Sequence, residues 1–418
     1  MTTSLRGSSW LSSSGVTILP DYKEFGGRHA ETAALAHTLN YMGITAPDSG
    51  LPFSEALLFG IGGGIGAGYF VRHAREQITL HLATRIITQE STLPGFLHTI
   101  CTRLSLSAQV QQAPSVAGAE KKLQQALSLV LPILVWADPR LLPYYGTPSA
   151  YHALVVYGLD TRQDIVYISD RSMLPLLLTR GELSVARQSL EVRRFRSLLI
   201  EPRAVVPRVD VAVRQGLNDY VTQMRHGFGP AEHDTGTGLK ALERWAERLV
   251  VAGNPRGWLQ LFPPGPRMYD VLVSAYDQIE NRGAAGSALR GLFADFLVEA
   301  AELLGRPGLK AAAESAQAAA QRWTELSAAL LPGELPVFAE ARWITTRRRT
   351  LFEEHGRAAD AEIHTLDTRL AELRTAVAAG VGLSPAEAGD LLSNARERVL
   401  AVLKAEEELV GAVETALT

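Results

Sequence analysis

A histidine and an aspartate stand at the ends of two neighbouring apolar segments. His152 begins the segment HALVVYG, and Asp170 follows the segment DIVYIS, 18 residues further along the chain. Both segments are rich in β-branched and aromatic residues, and the turn between them contains Gly158, Asp160 and Asp164, which predicts a β-hairpin. A hairpin brings such ends together, so Asp170 can accept a hydrogen bond from the His152 imidazole and stabilise its protonated form. The pair would supply the base and the orienting acid of a nucleophilic triad, although a lone histidine beginning an apolar strand is more often structural.

The nucleophile of such a triad is missing from the position that suits it best. A helix that starts after Gly26-Gly27 offers backbone N–H groups and a helix dipole, which lower the pKa of a thiol and stabilise an oxyanion. The residue at that start is Ala30, which does no covalent chemistry. His29 is a candidate for the entrance of the site, whereas Glu31 suits the first helical turn. Cys101 lies on a predicted helix far from this turn and is interpreted as a buried structural thiol.

A run of glycines invites a phosphate-loop interpretation that its context does not support. Gly62 and Gly64 satisfy a relaxed G-x-G-x-x-A spacing, but the preceding SEALLF has a helical pattern where a dinucleotide loop needs a strand. Because glycines let a backbone approach closely, we expect Gly62, Gly63 and Gly64 to line a narrow substrate channel. The ten histidines are scattered without a metal-binding spacing, so no metal site is expected.

Two further polar groups are candidates for substrate binding. Asp138, Tyr144 and Tyr145 follow the predicted strand PILVWA, and residues at strand ends often border a cleft. Structural turn chemistry explains them equally well. Glu280 begins the polar cluster 280–282, for which helix capping with local salt bridges is the simpler interpretation and a substrate pocket the alternative.

The elements that must position these residues change in character along the chain. Residues 31–43 predict a helix, and the alternating segment 78–87, PILVWA and RRFRSLLIE predict strands. After 201–210, which is rich in proline and charge, helical periodicity dominates to the end. Residues 363–377 carry a heptad seam, and the capping box at 384–387 begins a final helix. We expect these two helices to form an antiparallel hairpin packed on the body or on a second subunit.

Composition limits the class of protein. The chain has 418 residues, 46% of them hydrophobic and 20% charged, which excludes a disordered polymer and favours two or three domains. A balance of 41 basic and 44 acidic residues argues against a nucleic-acid partner. The longest nonpolar run, 56–71, contains six glycines and is too short for a membrane helix. With one cysteine, the chain makes no internal disulfide, and we expect a cytoplasmic protein.

Several blocks resemble the butirosin-biosynthesis H-protein family of papain-like cysteine acyltransferases. They are GGRHAETAALAHTLNYMGI, SEALLFGIGGGIGAGYF, PILVWADPRLLPYY, YHALVVYGLD and VYISDRS, in the expected order. The segment 279–304 resembles the helical domain of unknown function that commonly follows. The resemblance implies an α+β fold with a papain-like domain over 1–203, a helical domain over 204–332 and a C-terminal helical hairpin extension over 333–418.

The resemblance also implies a reaction and its residues. The family moves an acyl group from an acyl-carrier-protein thioester to an amine through an acyl-cysteine, which assigns the nucleophile position to Ala30, the base to His152 and the acid to Asp170. Retention of His152 and Asp170 favours an engineered cysteine-to-alanine change over a natural alanine. The alternative is a natural scaffold that binds an acyl carrier or product without covalent chemistry, and a thiol peptidase is a third possibility.

The implied partners follow from this chemistry. They are an acyl carrier protein and a small amine acceptor, with no cofactor beyond phosphopantetheine on the carrier, no metal, no nucleic acid and no membrane. Arg290 is one of several arginines suited to an acidic carrier. The C-terminal helices are a candidate homodimer interface.

Overall fold

The computed structural model describes residues 15–47, 49–74, 77–88, 95–145, 152–190, 194–202, 208–228, 235–249, 255–281 and 286–418. The expected boundary between the first two domains, at 203 and 204, lies outside these ranges, as does residue 282 of the polar cluster.

Strands and helices alternate through the N-terminal part. The strands are β1 (Val16–Ile18), β2 (Ile65–Ala74), β3 (Gln77–Arg85), β4 (Ala108–Gln111), β5 (Ile133–Ala137), β6 (His152–Asp160), β7 (Ile165–Ser169), β8 (Leu176–Thr179) and β9 (Ser197–Ile200). The helices are α1 (Ala30–Tyr41), α2 (Glu55–Ile61), α3 (Phe96–Arg103), α4 (Val116–Ser128) and α5 (Arg180–Gln188).

Helices make up nearly all the regular structure that follows. They are α6 (Val209–His226), α7 (Leu239–Arg248), α8 (Trp258–Leu261), α9 (Pro266–Glu280), α10 (Arg290–Leu304), α11 (Gly308–Leu330), α12 (Pro336–His355), α13 (Asp360–Ala378) and α14 (Pro385–Leu417), with one short strand, β10 (Thr235–Thr237). The antiparallel sheet followed by helices confirms the expected α+β class.

The main sheet is antiparallel, with the strand order β4-β9-β5-β6-β7-β8 and β1 paired on β6. Every residue of β5 and β6 is buried, as expected for unbroken apolar runs at the centre of a sheet covered on both faces. The hairpin predicted from HALVVYG and DIVYIS is confirmed as β6 and β7. Its register pairs Val155 with Ser169, so Asp170 leaves the sheet diagonally opposite His152 and on a side that both residues share.

A second sheet joins the N-terminal and helical parts. Its order is β10-β2-β3, and β10, which follows α6, pairs with Tyr69 and its neighbours in β2. Strand β2 begins at Ile65, inside the glycine run where the sequence pattern predicted no strand. The two parts therefore share one sheet.

The C-terminal extension is built into the body. Helix α13 packs on α9 and α12, whereas α14 packs along α11 and α7. Both helices of the predicted hairpin thus pack on the body, α13 through α9 and α14 through α11 and α7, and α13 also contacts α12 of the extension itself. The heptad seam contributes to this core through the buried Ile363, Leu366, Leu373 and Val377, so these side chains are covered within the chain and are not presented to a second subunit.

A buried ion pair fastens α14 to the rest. Arg290 and Glu406 are both fully buried, and Arg290 Nε lies 2.6 Å from Glu406 Oε1. The guanidinium also donates to the carbonyls of Thr84 at 3.1 Å and Gly66 at 2.9 Å, while the Trp323 indole donates to Glu406 at 2.7 Å. The expectation that Arg290 meets a carrier protein is therefore wrong, because its charge is neutralised inside the protein.

Candidate active site

The His152 and Asp170 side chains meet at the end of the β6–β7 hairpin. His152 Nε2 lies 2.6 Å from Asp170 Oδ2, and the two residues are 2% and 4% exposed. The carboxylate also accepts from the Tyr144 hydroxyl at 3.1 Å and from the Arg171 backbone N–H at 2.7 Å. Burial alone would raise the pKa of Asp170, but His152 and Arg171 outweigh it and hold that pKa below its usual range. The carboxylate is thus ionised and orients the ring, which leaves Nδ1 for proton transfer.

The start of α1 is held near the same end of the sheet. Ala30 is the first residue of the helix and is buried, and it follows the extended His29. The next residue, Glu31, accepts from Trp136 Nε1 at 3.3 Å and pairs with Arg85 at 2.9 Å. Trp136 lies in β5, one residue before Ala137, whose register partner is His152. These contacts tie the first turn of α1 to the end of β5 that pairs with the start of β6.

His29 is buried against aromatic side chains. Its ring packs edge-on against Phe59 and Phe96, with centroids 5.3 and 5.9 Å away, and its Nδ1 lies 3.1 Å from Thr32 Oγ1. Burial lowers the pKa of His29 well below its ordinary value, and the nearby Arg85, Arg171 and His152 side chains act in the same direction. A neutral, packed ring fits a wall of the site.

Glu55 occupies two backbone donors just before α1, a role that the sequence analysis missed. Its carboxylate accepts from the Arg28 backbone N–H at 2.9 Å and from that of His29. Burial raises the pKa of Glu55 against the opposing effect of these bonds. The helix start at Ser54-Glu55 was visible in sequence, but no local pattern links it to α1. Since these two amides are taken, the amide of Ala30 is the next donor available to an oxyanion.

Helix α12 covers the site from the far end of the chain. The Phe352 ring stacks on Tyr144 with centroids 5.2 Å apart and meets Tyr145 edge-on at 5.5 Å. Arg171 donates to the Tyr145 hydroxyl at 2.6 Å and pairs with Glu353 at 3.2 Å. The Tyr145 ring in turn lies 4.8 Å from the imidazole of His152. The extension therefore supplies part of the wall around the candidate base.

Comparison with known protein families assigns these elements. Residues 29–171 match the family described as butirosin biosynthesis protein H, N-terminal, and residues 182–333 match the domain of unknown function DUF4872. The chain thus carries the N-terminal domain of the butirosin biosynthesis protein H family followed by DUF4872, the arrangement that the sequence blocks predicted. Its fold is the papain-like α+β arrangement followed by helices, and the family implies an acyltransferase-type function in antibiotic biosynthesis. No curated protein matches the chain.

The family blocks account for most sequence candidates, but several carry structural roles. Asp138 accepts from Arg140, with Oδ2 2.6 Å from the guanidinium, and from the Ser189 hydroxyl at 3.2 Å. Burial would raise the pKa of Asp138, but the hydrogen bonds from Arg140 lower it. Glu280 accepts from the Ser327 hydroxyl at 2.6 Å and from the Ser287 backbone at 3.2 Å. Asp138 and Glu280 therefore hold turns and helix ends, a structural role that the sequence analysis left open for each.

The glycine run of this family member is packed, which corrects the expected channel. The space that a Cβ would take at Gly62 holds the Phe96 ring, and the corresponding spaces at Gly63 and Gly64 hold Ile86 and Phe293. The glycines admit these large side chains to the core, so the space beside each of the three is filled by protein and not open to a substrate. Gly63 and Gly64 also have positive φ, which favours glycine.

The lone cysteine lies in the core of the protein. Cys101 is fully buried, and burial raises its pKa to about 12, which fits a structural thiol. Within the described ranges, no group of three or more histidine, cysteine or acidic side chains is placed to hold a metal ion. In the same part of the chain, no helix is both long and apolar enough to cross a membrane.

Proposed function

We propose that this site belongs to an acyltransferase that moves an acyl group from a carrier-bound thioester to an amine, with position 30 as the place of the nucleophile. The observation that carries the proposal is the buried His152–Asp170 pair at 2.6 Å. It is supported by the contacts that hold the start of α1 near the same strand ends. Restoring a cysteine at position 30 would complete a Cys-His-Asp triad.

The chemistry of that restored form proceeds in two balanced steps. His152 Nδ1 takes the thiol proton, and the thiolate attacks the thioester carbonyl while the amide of residue 30 donates to the oxyanion. Collapse expels the pantetheine thiolate, which takes the proton from the imidazolium and leaves an acyl-enzyme. An amine then attacks this acyl group, His152 accepts the amine proton, and that proton returns to the departing cysteine sulfur.

The test is acylation of the Ala30→Cys variant. Incubation with short acyl-pantetheine thioesters and with acyl-carrier thioesters should add one acyl group, located on residue 30 by peptide mass spectrometry. Cys101 serves as an internal control because its buried thiol, with a pKa near 12, should stay unmodified. The matched control Ala30→Cys/His152→Gln should acylate at least about a hundredfold more slowly. A folded Ala30→Cys protein that forms no adduct across the thioester panel would falsify the covalent route.

A second candidate rests on the alanine itself. If alanine is the natural residue at position 30, the protein is a scaffold that binds a carrier or product. The His152–Asp170 pair would then act directly on a bound acceptor. The unaltered chain would then catalyse transfer from thioester to amine without a covalent adduct, and His152→Gln would abolish it. Hydrolysis of unmodified peptides by the Ala30→Cys variant, without thioester transfer, would instead indicate a peptidase.

A further inference from the structure

A small cavity lies between α4, α5 and the main sheet, and its lining residues are not those of the candidate active site. Its volume is about 30 Å³. A single water molecule needs about 10–15 Å³ of such space, so the cavity has room for a small ion but not for an organic substrate. Most of its wall is apolar, and the polar side chains on that wall are Glu120, Arg180, Ser184 and Arg187.

Arg187 brings a buried positive charge to this cavity. The residue is 2% exposed, and its Nη2 donates to the backbone carbonyls of Phe195 at 3.2 Å and Arg196 at 3.4 Å, which are neutral acceptors. Burial lowers the pKa of Arg187 to about 10, and no charge among the described residues opposes this shift. The guanidinium is therefore still protonated at neutral pH. A buried cation without a carboxylate partner is costly unless another negative charge lies beside it.

Two hydrogen-bond donors of the cavity are unused. The Nε atoms of Arg180 and Arg187 are both buried, and neither has a hydrogen-bond partner within the described ranges. The tip of Arg180 is already paired, with Glu120 at 2.5 Å and with the exposed Asp164 at 3.6 Å. The cavity therefore offers two N–H donors, and the positive charge that remains unpaired is that of Arg187.

The unpaired charge decides between a water molecule and an anion as the occupant. A water molecule can accept from both Nε–H groups, but it leaves the charge of Arg187 uncompensated. A small monovalent anion accepts the same two hydrogen bonds and also supplies the missing negative charge. A divalent oxyanion such as sulfate is larger, and its second charge would lie close to the Glu120 carboxylate, which repels it.

The structure assigns to this cavity a small monovalent anion, chloride in the simplest case, held by the Nε–H groups of Arg187 and Arg180. Since Arg187 also binds the carbonyls of Phe195 and Arg196, the anion would help to fasten α5 to the segment that enters β9. An ion that binds only the folded chain stabilises it. This site is independent of the proposed function, because it uses no residue of the candidate active site.

Broadening of the chloride NMR signal by the unaltered protein measures the binding directly. The titration is made at neutral pH and constant ionic strength, with gluconate, a large organic anion, replacing chloride. We expect saturable broadening that bromide reverses, and competition by sulfate that is at least about tenfold weaker than competition by bromide. An absence of saturable broadening, or sulfate that competes as well as bromide, would overturn the proposal.

Two variants and a control locate the ion. Arg187→Gln should weaken chloride binding at least about tenfold, whereas Glu120→Gln removes a negative charge from the wall and should strengthen it at least about threefold. The control is Arg225→Gln, because Arg225 pairs with Glu414 at 2.5 Å near the surface; it should change the affinity less than about twofold. Unchanged affinity in a folded Arg187→Gln protein refutes the site. If that variant does not fold, a Glu120→Gln protein that binds chloride no more tightly refutes it instead.

Urea unfolding then tests whether the ion stabilises the fold. The unfolding midpoint of the unaltered protein should rise when chloride replaces gluconate at equal ionic strength, and that of Arg187→Gln should stay in place. An equal rise in both proteins would assign the effect to general salt action and contradict the proposal.

Discussion

Glu406→Leu tests whether the C-terminal helix is part of the core that supports the site. The substitution removes the partner of a fully buried arginine and the acceptor of the Trp323 indole. Breaking a buried ion pair from one side costs about 3–5 kcal/mol, and the lost indole bond adds about 1 kcal/mol. We therefore expect a loss of about 4–6 kcal/mol in the free energy of unfolding, a large share of the 5–15 kcal/mol typical of folded proteins.

Urea unfolding followed by tryptophan fluorescence and circular dichroism measures this loss. Glu414→Leu is the matched control, because Glu414 also lies in α14 but pairs with a half-exposed Arg225; it should cost less than about 1 kcal/mol. The double variant Arg290→Met/Glu406→Leu should show a coupling of at least about 2 kcal/mol. A Glu406→Leu protein that loses no more than the Glu414→Leu control, or a coupling near zero, refutes the argument that this pair anchors α14.

Three further predictions address the site and its frame. Burial lowers the pKa of His37 in α1 to about 4, so the unfolded chain binds this proton as pH falls from 6.5 to 4 while the folded protein does not. We expect up to about 3 kcal/mol of the free energy of unfolding to be lost over that pH window. Urea unfolding of His37→Gln at several pH values should show a correspondingly smaller loss. In the Ala30→Cys background, Asp170→Asn should slow acylation at least about a hundredfold in stopped assays, because an amide donates where the carboxylate accepted and imposes the wrong imidazole tautomer; an unchanged rate contradicts the assigned role. Gly216→Ala in α6 places a Cβ against a backbone carbonyl of α2 and should lower the free energy of unfolding by about 1–3 kcal/mol. Gly411→Ala in α14 is the control, because the nearest atom to its Cβ would be 3.9 Å away; it should cause no such loss.

The sequence predicts those parts of the site that are local in the chain. The β6–β7 hairpin is specified by its two apolar arms and the turn between them, so the meeting of His152 with Asp170 follows from register alone. The start of α1 is equally local, since the Gly26-Gly27 turn precedes the helix that begins at Ala30.

The sequence does not predict contacts between residues that are far apart in the chain. Phe352 and Glu353 meet Tyr144 and Arg171 across roughly half the chain, and no periodicity in α12 distinguishes these side chains from an ordinary helix face. For the glycine run, the sequence predicts that another group can approach the backbone closely, but not which side chains do so. Sequence indicates that Gly62 lets something come near; only the packing shows that this is the Phe96 ring.

The C-terminal extension supplies a counter-charge to the buried arginine beside Asp170. Arg171 lowers the pKa of Asp170 together with His152, and Arg171 is itself a buried cation that needs a counter-charge. That charge is Glu353, supplied by α12 at 3.2 Å. Removing α12 would leave Arg171 with the Tyr145 hydroxyl and Asp170 alone, which draws the guanidinium toward the Asp170 carboxylate and loosens the Tyr145 ring beside His152. The extension that looks like an appendage in sequence is thus electrostatically part of the candidate site.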